Sequence, residues 1–233
     1  MTYRHELKYL IHQSDYHILR MRVAGLLSRD VHANRQGFYT VRSLYFDDFF
    51  NTAFNEKNVS ILDRQKYRIR TYNHASEVIH LERKIKHNNY VTKQITTLSA
   101  EEVDRILRGE YQFLRSSTQA LKKVFYHELV SRLLRPRIVI DYEREPYIYE
   151  AGTVRITFDK NIRTGIDASD IFCADLAMME TLESGFLVME VKFTEFMPSV
   201  VRELLPTDAV DYSAISKYML GCYPTMYKRQ TDA

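Results

Sequence analysis

At 233 residues, 45% hydrophobic and 27% charged, the chain can bury a sizeable core as one soluble globular domain spanning residues 1–233. Its net charge of +3 is too small by itself to mark a nucleic-acid binder. Two cysteines, Cys173 and Cys222, exclude a disulfide framework, and the lack of an apolar leader or of about 18 consecutive apolar residues predicts a cytoplasmic protein without direct membrane insertion.

The stretch Tyr3 to Ile11 alternates, with Arg4, Glu6 and Lys8 on one face and Leu7, Tyr9 and Ile11 on the other, and predicts a first strand. Ser14 is the expected N-cap of a helix reaching about Leu27. Phe38 to Asp47, rich in aromatic and β-branched residues, reads as a strand, and Phe49 to Asn58 as a turn or short helix. Three strands in a meander are expected over 61–73, 77–86 and 89–97, broken at Asn73-His74-Ala75 and His87-Asn88-Asn89. Ser99-Ala100-Glu101-Glu102 is a capping box for a short helix stopping at Gly109. A longer amphipathic helix is predicted over 117–134, stopped by Pro136. Strands follow at 137–144, 153–162 and 186–194, the stretch 170–183 fits no one pattern, and short helices are expected at 198–205 and 212–221. About eight strands interrupted by helices predict an antiparallel α+β fold, with closure into a barrel as one outcome.

The polar faces of these strands share a peculiarity. In Gln65-Lys66-Tyr67-Arg68-Ile69-Arg70-Thr71-Tyr72, Lys66, Arg68 and Arg70 lie on one side, about 7 Å apart along the strand. His80, Glu82, Lys84 and Lys86 share a face of the next strand. Arg155, Thr157 and Asp159 do so near 153–160, as do Glu190 and Lys192 near 186–193. Any one such face is explained by water on one side of an antiparallel sheet. Five together, counting Glu6 and Lys8 of the first strand, repel one another if they converge unless a polyanion supplies the countercharge. Arginine forks suit phosphate oxygens, and Glu6, Glu82 and Glu190 are candidate carboxylates for Mg²⁺ or Mn²⁺. No P-loop, Gly-x-Gly, nucleophile elbow or zinc helix is present in the sequence.

The motifs Arg4-His5-Glu6-Leu7-Lys8-Tyr9, Ser43-Leu44-Tyr45-Phe46-Asp47, Lys66-Tyr67-Arg68-Ile69-Arg70 and Leu81-Glu82-Arg83-Lys84 occur in that order. Pro136-Arg137, Tyr142-Glu143-Arg144, Val154 to Asp159, Met189 to Phe193 and Ser216-Lys217-Tyr218 follow. Together they resemble the VTC domain, the polyphosphate polymerase family within the triphosphate tunnel metalloenzymes (CYTH-like), from about Tyr3 to Gly221. The resemblance implies a closed antiparallel β-barrel, a tunnel, with helices outside. It implies metal-dependent transfer of the γ-phosphoryl group of ATP onto inorganic polyphosphate, with Mn²⁺ or Mg²⁺ as cofactor and no nucleic-acid partner. Lys8, Arg68, Arg70, Lys84, Arg144, Arg155 and Lys217 match the family's phosphate-contacting positions, and Glu190 its metal-binding carboxylate. Lys192 joins the expected substrate-binding set. Lys93 matches a further basic position, although it shares strand parity with Val91 and Ile95. Two departures stand out: Arg4 replaces the first Glu of the superfamily's Glu-x-Glu-x-Lys motif, and Ala214 stands where eukaryotic polymerases carry Lys. The first removes a possible metal ligand and argues against the small-molecule triphosphatase branch; the second argues against a membrane-coupled polymerase and favours a stand-alone domain, as in bacterial relatives. Competing expectations are a tripolyphosphatase or nucleoside triphosphatase in the same tunnel, a non-catalytic polyphosphate-binding module, and, more remotely, nucleic-acid binding on an open sheet.

Overall fold

The computed structural model describes residues 4–59, 61–87, 90–165, 171–194, 196–205 and 215–231. In chain order these form β1 (Arg4–His12), α1 (Gln13–Leu26), β2 (Ser28–Arg29), β3 (Tyr39–Asp47), α2 (Thr52–Asn58), β4 (Arg64–Tyr72), β5 (Ile79–His87) and β6 (Tyr90–Leu98). There follow α3 (Ala100–Leu107), α4 (Gln112–Arg115), α5 (Ala120–Ser131), β7 (Arg135–Tyr149), β8 (Val154–Gly165), β9 (Met178–Glu180), β10 (Phe186–Thr194), α6 (Ser199–Arg202) and α7 (Lys217–Thr231). The antiparallel α+β class predicted from the sequence is therefore present.

The chain divides into two compact units: Met1–Thr40, Tyr142–Ile162 and Glu180–Lys217 form the first, and Val41–Asp141, Arg163–Met179 and Tyr218–Ala233 the second. In the first unit the strand order is β1-β10-β8-β7. Antiparallel register sets Lys8 opposite Glu190 and Glu6 opposite Lys192, then Glu190 opposite Thr157 and Lys192 opposite Arg155. Since side chains alternate across a strand, this register puts every one of those polar groups on one face. The reverse face (Tyr9, Ile11, Ile156, Phe158, Met189, Val191) is a core covered by Tyr16, Leu19 and Val23 of α1. That helix is fastened by Glu145, which is only 2% exposed. The carboxylate accepts from Tyr16 at 2.5 Å, Arg20 at 2.7 Å and Tyr147 at 2.6 Å. Neighbours on β7 thus part company: Glu145 turns under the helix and Arg144 to the charged face.

In the second unit the order is β3-β4-β5-β6, with Tyr45 opposite Arg68, Arg68 opposite Glu82 and Lys84 opposite Lys93. Its apolar face, including Leu44, Phe46, Tyr67, Ile69 and Leu81, packs under Val103 and Ile106 of α3 and Leu121, Phe125 and Leu129 of α5. The Ser99–Glu102 capping box that starts α3 is formed in full. A Cβ on Gly221 would press on the side-chain ends of Ile140 and Ile138, so α7 packs closely onto β7 at this glycine.

Several boundaries differ from expectation for local reasons. His12, not Ser14, caps α1, because β1 passes into the helix without a loop and Ser14 already sits in the first turn. The helix expected over 117–134 is the shorter α5 (Ala120–Ser131), with α4 a separate single turn that ends at Arg115 before it. The Ser117 hydroxyl accepts from the Gln119 amide and forms a turn there. Leu133 at φ +55° ends the helical stretch before Pro136, and Arg135 donates to the carbonyls of Leu129 and Leu134. Strand β7 continues past Arg144 through Pro146, which β2 does not pair, a position where a strand tolerates proline. The last helix starts at Lys217 and runs beyond Gly221. Ala214 and the predicted helix start at Tyr212 lie outside the described residues. No described helix is long and apolar enough to cross a membrane.

Candidate functional site

In the first unit β8, β7 and β10 deliver Asp159, Arg144 and Glu190 to one point, each nearly or wholly buried. Arg144 grips Asp159 in a two-pronged pair, 2.7 Å from Nε to Oδ1 and 2.8 Å from Nη2 to Oδ2, and reaches Glu190 Oε2 at 3.2 Å. Lys217 Nζ bridges Glu190 Oε1 at 2.8 Å and Asp159 Oδ2 at 2.5 Å. Lys192 Nζ lies 2.7 Å from Glu190 Oε2 and 3.5 Å from Glu6. Lys8 lies 3.6 Å from Glu6 and donates to the Ile215 carbonyl. Burial pushes the Glu190 carboxyl upward, but Lys192, Lys217, Arg144 and Lys8 outweigh it and hold it well below the carboxylate range. Asp159 is depressed in the same way: burial is outweighed by Arg144 and Lys217. Both carboxylates are therefore charged at neutral pH. Arg155 is carried on the same face, its Nη2 held by Asp30 at 2.7 Å and the Tyr39 hydroxyl at 3.0 Å.

The second unit carries a separate cluster. Glu82, 1% exposed, accepts from Arg68 Nε at 2.6 Å, lies 2.6 Å from Lys93 and 3.9 Å from Arg70. Arg68 also donates to the Tyr45 hydroxyl and Arg70 to Ser43 Oγ. Burial raises the Glu82 carboxyl, but Arg68, Arg70 and Lys93 more than reverse that and depress it strongly. Lys84 is exposed, opposite Lys66 and Lys93. Lys93 thus belongs to the cationic face. Its parity mates Val91 and Ile95 are 46% and 52% exposed, so this face of β6 is not an apolar core face.

Lys66 shares that parity but not that environment. Its Nζ is shielded, lacks a hydrogen-bond partner among the described residues and sits 4.6 Å above the Tyr218 ring. Burial, chiefly, lowers its pKa to about 7. A folded-state value below that of the unfolded chain means the unfolded state binds more protons between pH 7 and about 10.5, so stability rises with pH across that window. Below it the full cost of the buried ammonium is present. Lys66→Met is expected to stabilise the fold at pH 6 by a few kcal/mol, on the order set by such a shift, and to flatten the rise toward pH 10. Urea melts of both proteins at pH 6 and pH 9.5 check it; equal gains at both would be the wrong outcome.

Residues 3–225 match the family model described as the VTC domain. The chain belongs to the VTC domain family. No curated protein matches it significantly. Among solved structures, the VTC chain resembles the PH1819 protein of Pyrococcus horikoshii OT3 at 14% identity and TM-score 0.50, with 95% of this chain and 99% of that one covered. It also resembles a candidate adenylate cyclase of Bacillus halodurans at 13% identity and TM-score 0.51, with coverage of 89% and 94%. At such identities the likeness is one of fold. VTC membership points to phosphate chemistry, and the family generally works with a divalent metal.

Among the described residues no group of three or more His, Cys, Asp or Glu side chains could hold a metal alone. Asp159 and Glu190, which converge on the Lys217 ammonium, nevertheless supply hard oxygen donors of the kind Mg²⁺ and Mn²⁺ prefer, with the remaining positions left to phosphate oxygens. Of the three carboxylates expected to bind metal, Glu190 lies in this pair, Glu6 touches Lys8 and Lys192, and Glu82 lies in the second unit amid cations. Sequence reading placed Asp159 on the charged face without giving it a role. It missed Asp30 and Tyr39, whose hold on Arg155 spans 125 and 116 residues of sequence and leaves no local signal.

Proposed function

We propose that this VTC protein transfers the γ-phosphoryl group of ATP to a growing inorganic polyphosphate chain, with Mn²⁺ or Mg²⁺. The single observation that carries the reading is the charge imbalance around Glu82: Arg68, Arg70 and Lys93 crowd one buried carboxylate, an arrangement that a polyanion completes. The closed tunnel, which rests on family resemblance, and the single domain over residues 1–233 and cytoplasmic location, which rest on the sequence reading, belong to this proposal.

In this reading Arg68, Arg70, Lys84, Arg144 and Arg155 hold the phosphoryl groups and offset charge in the transition state, while Lys8, Lys93, Lys192 and Lys217 extend the grip. A terminal phosphate oxygen of the chain attacks the γ-phosphorus in line. The bond to the β,γ-bridging oxygen breaks and ADP leaves with that electron pair. No Ser, Cys or His nucleophile is needed, because positioning and electrostatics carry phosphoryl transfer. Glu190, with Glu6 and Glu82 as further candidates and Asp159 beside it, would hold the divalent metal, which when bound neutralises phosphate charge.

Incubation with ATP and Mn²⁺, read by gel for chain length and by assay for free phosphate, tests the proposal. Long polyphosphate is expected. Free phosphate without chains would assign a tripolyphosphatase or nucleoside triphosphatase instead. Tight tripolyphosphate binding with no turnover under either metal would assign a binding module, and displacement of tripolyphosphate by DNA would favour the nucleic-acid reading.

A further inference from the structure

Thr157 is 1% exposed, and among the described residues its hydroxyl has no hydrogen-bond partner. Leaving a buried hydroxyl unpaired is costly, so the chemistry missing around it is informative. The residue stands on the charged face of β8 between Arg155 and Asp159, directly across from Glu190. Its chain neighbours Ile156 and Phe158 point the other way into the core. Two positions along the same face, Arg155 Nε is also buried and, among the described residues, without a partner, although the guanidinium is fixed through Nη2 by Asp30 and Tyr39. Arg155 Nε can only donate, and the Thr157 hydroxyl can donate as well as accept. The acids nearby are committed elsewhere: Glu190 to Arg144, Lys192 and Lys217, Asp159 to Arg144 and Lys217. An acceptor from outside the described residues would complete both Thr157 and Arg155.

We infer that Thr157 is a further substrate-binding residue whose hydroxyl donates to an anionic phosphate oxygen, while Arg155 Nε takes a different oxygen of the same ligand. Residues two apart on a strand are spaced about 7 Å, a separation over which two donors can take different oxygens of one phosphate-bearing ligand. This inference rests on the phosphate-binding reading proposed above and adds a neutral donor to a site otherwise built from charges. A hydroxyl held against a wall of ammonium and guanidinium groups fixes the position of an oxygen without adding another repulsive cation.

Titration calorimetry with tripolyphosphate in EDTA tests it on the intact protein. Thr157→Val keeps the shape and removes the hydroxyl; its melting temperature should equal or exceed that of the wild type, while tripolyphosphate binding weakens about tenfold or more, the loss typical of a hydrogen bond to a charged group. Thr157→Ser, which keeps the hydroxyl, should bind close to wild type. Thr71→Val removes another buried, unpartnered hydroxyl, this one on the side of β4 away from Arg68 and Arg70, and should leave binding unchanged. Wild-type binding by Thr157→Val, weak binding by Thr157→Ser, or an equal loss in Thr71→Val would each overturn the role of Thr157 alone. A wild type that does not bind tripolyphosphate would overturn the phosphate reading and this inference with it.

Discussion

Arg68→Ala is expected to lower polyphosphate synthesis by two orders of magnitude or more while the protein stays folded. The side chain is partly exposed, and it spends its fork on Glu82 and Tyr45. Removing one preorganised cation aimed at developing phosphoryl charge typically costs about 10²–10³ in turnover. The stability cost is smaller, because Glu82 keeps Lys93 at 2.6 Å and Arg70 at 3.9 Å and is not left as a lone buried charge. Arg68→Lys separates two contributions: it restores the charge but cannot make the two-pronged contact, so partial recovery is expected. Turnover per folded molecule, with folding checked by circular dichroism, is the measurement. Full activity in Arg68→Ala would remove this residue, and the face around it, from the catalytic assignment.

What the sequence made legible follows from what a period of two can carry. Alternation alone separates Arg68 and Arg70 from Ile69, and Glu190 and Lys192 from Val191, and those faces are as expected in both units. The capping box at Ser99 was legible because all its atoms lie within one turn. Register was not, since Lys8 meets Glu190 and Arg144 meets Asp159 through pairings between distant strands. The consequence is substantial for charge. Strand by strand the cations look short of partners, whereas in the first unit Glu6, Asp159 and Glu190 answer Lys8, Arg144, Lys192 and Lys217 almost one for one. The polyanion argument is therefore strongest at Glu82 in the second unit. In the first unit the acids hold the basic groups in place until a ligand competes for them.

Asp159→Asn should reveal that balance. The substitution keeps the volume and deletes one charge, leaving Arg144 and Lys217, both buried, with Glu190 as their remaining anion. Removing one partner of a buried pair costs about 3–5 kcal/mol, and a loss near the lower end is expected because Glu190 persists. The pH dependence has a definite sign. Asp159 has its pKa depressed in the folded protein, so its contribution is present above the unfolded value of 3.8 and is lost as pH falls through the folded one. The variant should therefore be less stable than wild type at pH 7 but fall away less steeply below pH 4. It should also respond more to ligand: with one anion fewer, tripolyphosphate supplies charge the face now lacks. Its stabilising effect, through preferential binding to the folded state, should exceed that on the wild type. Urea melts at pH 7 and pH 3.5, with and without tripolyphosphate in EDTA, measure all three. A variant destabilised equally at both pH values and indifferent to tripolyphosphate would mean that Asp159 acts through packing, and that the acids of this face do not stand in for a phosphate ligand.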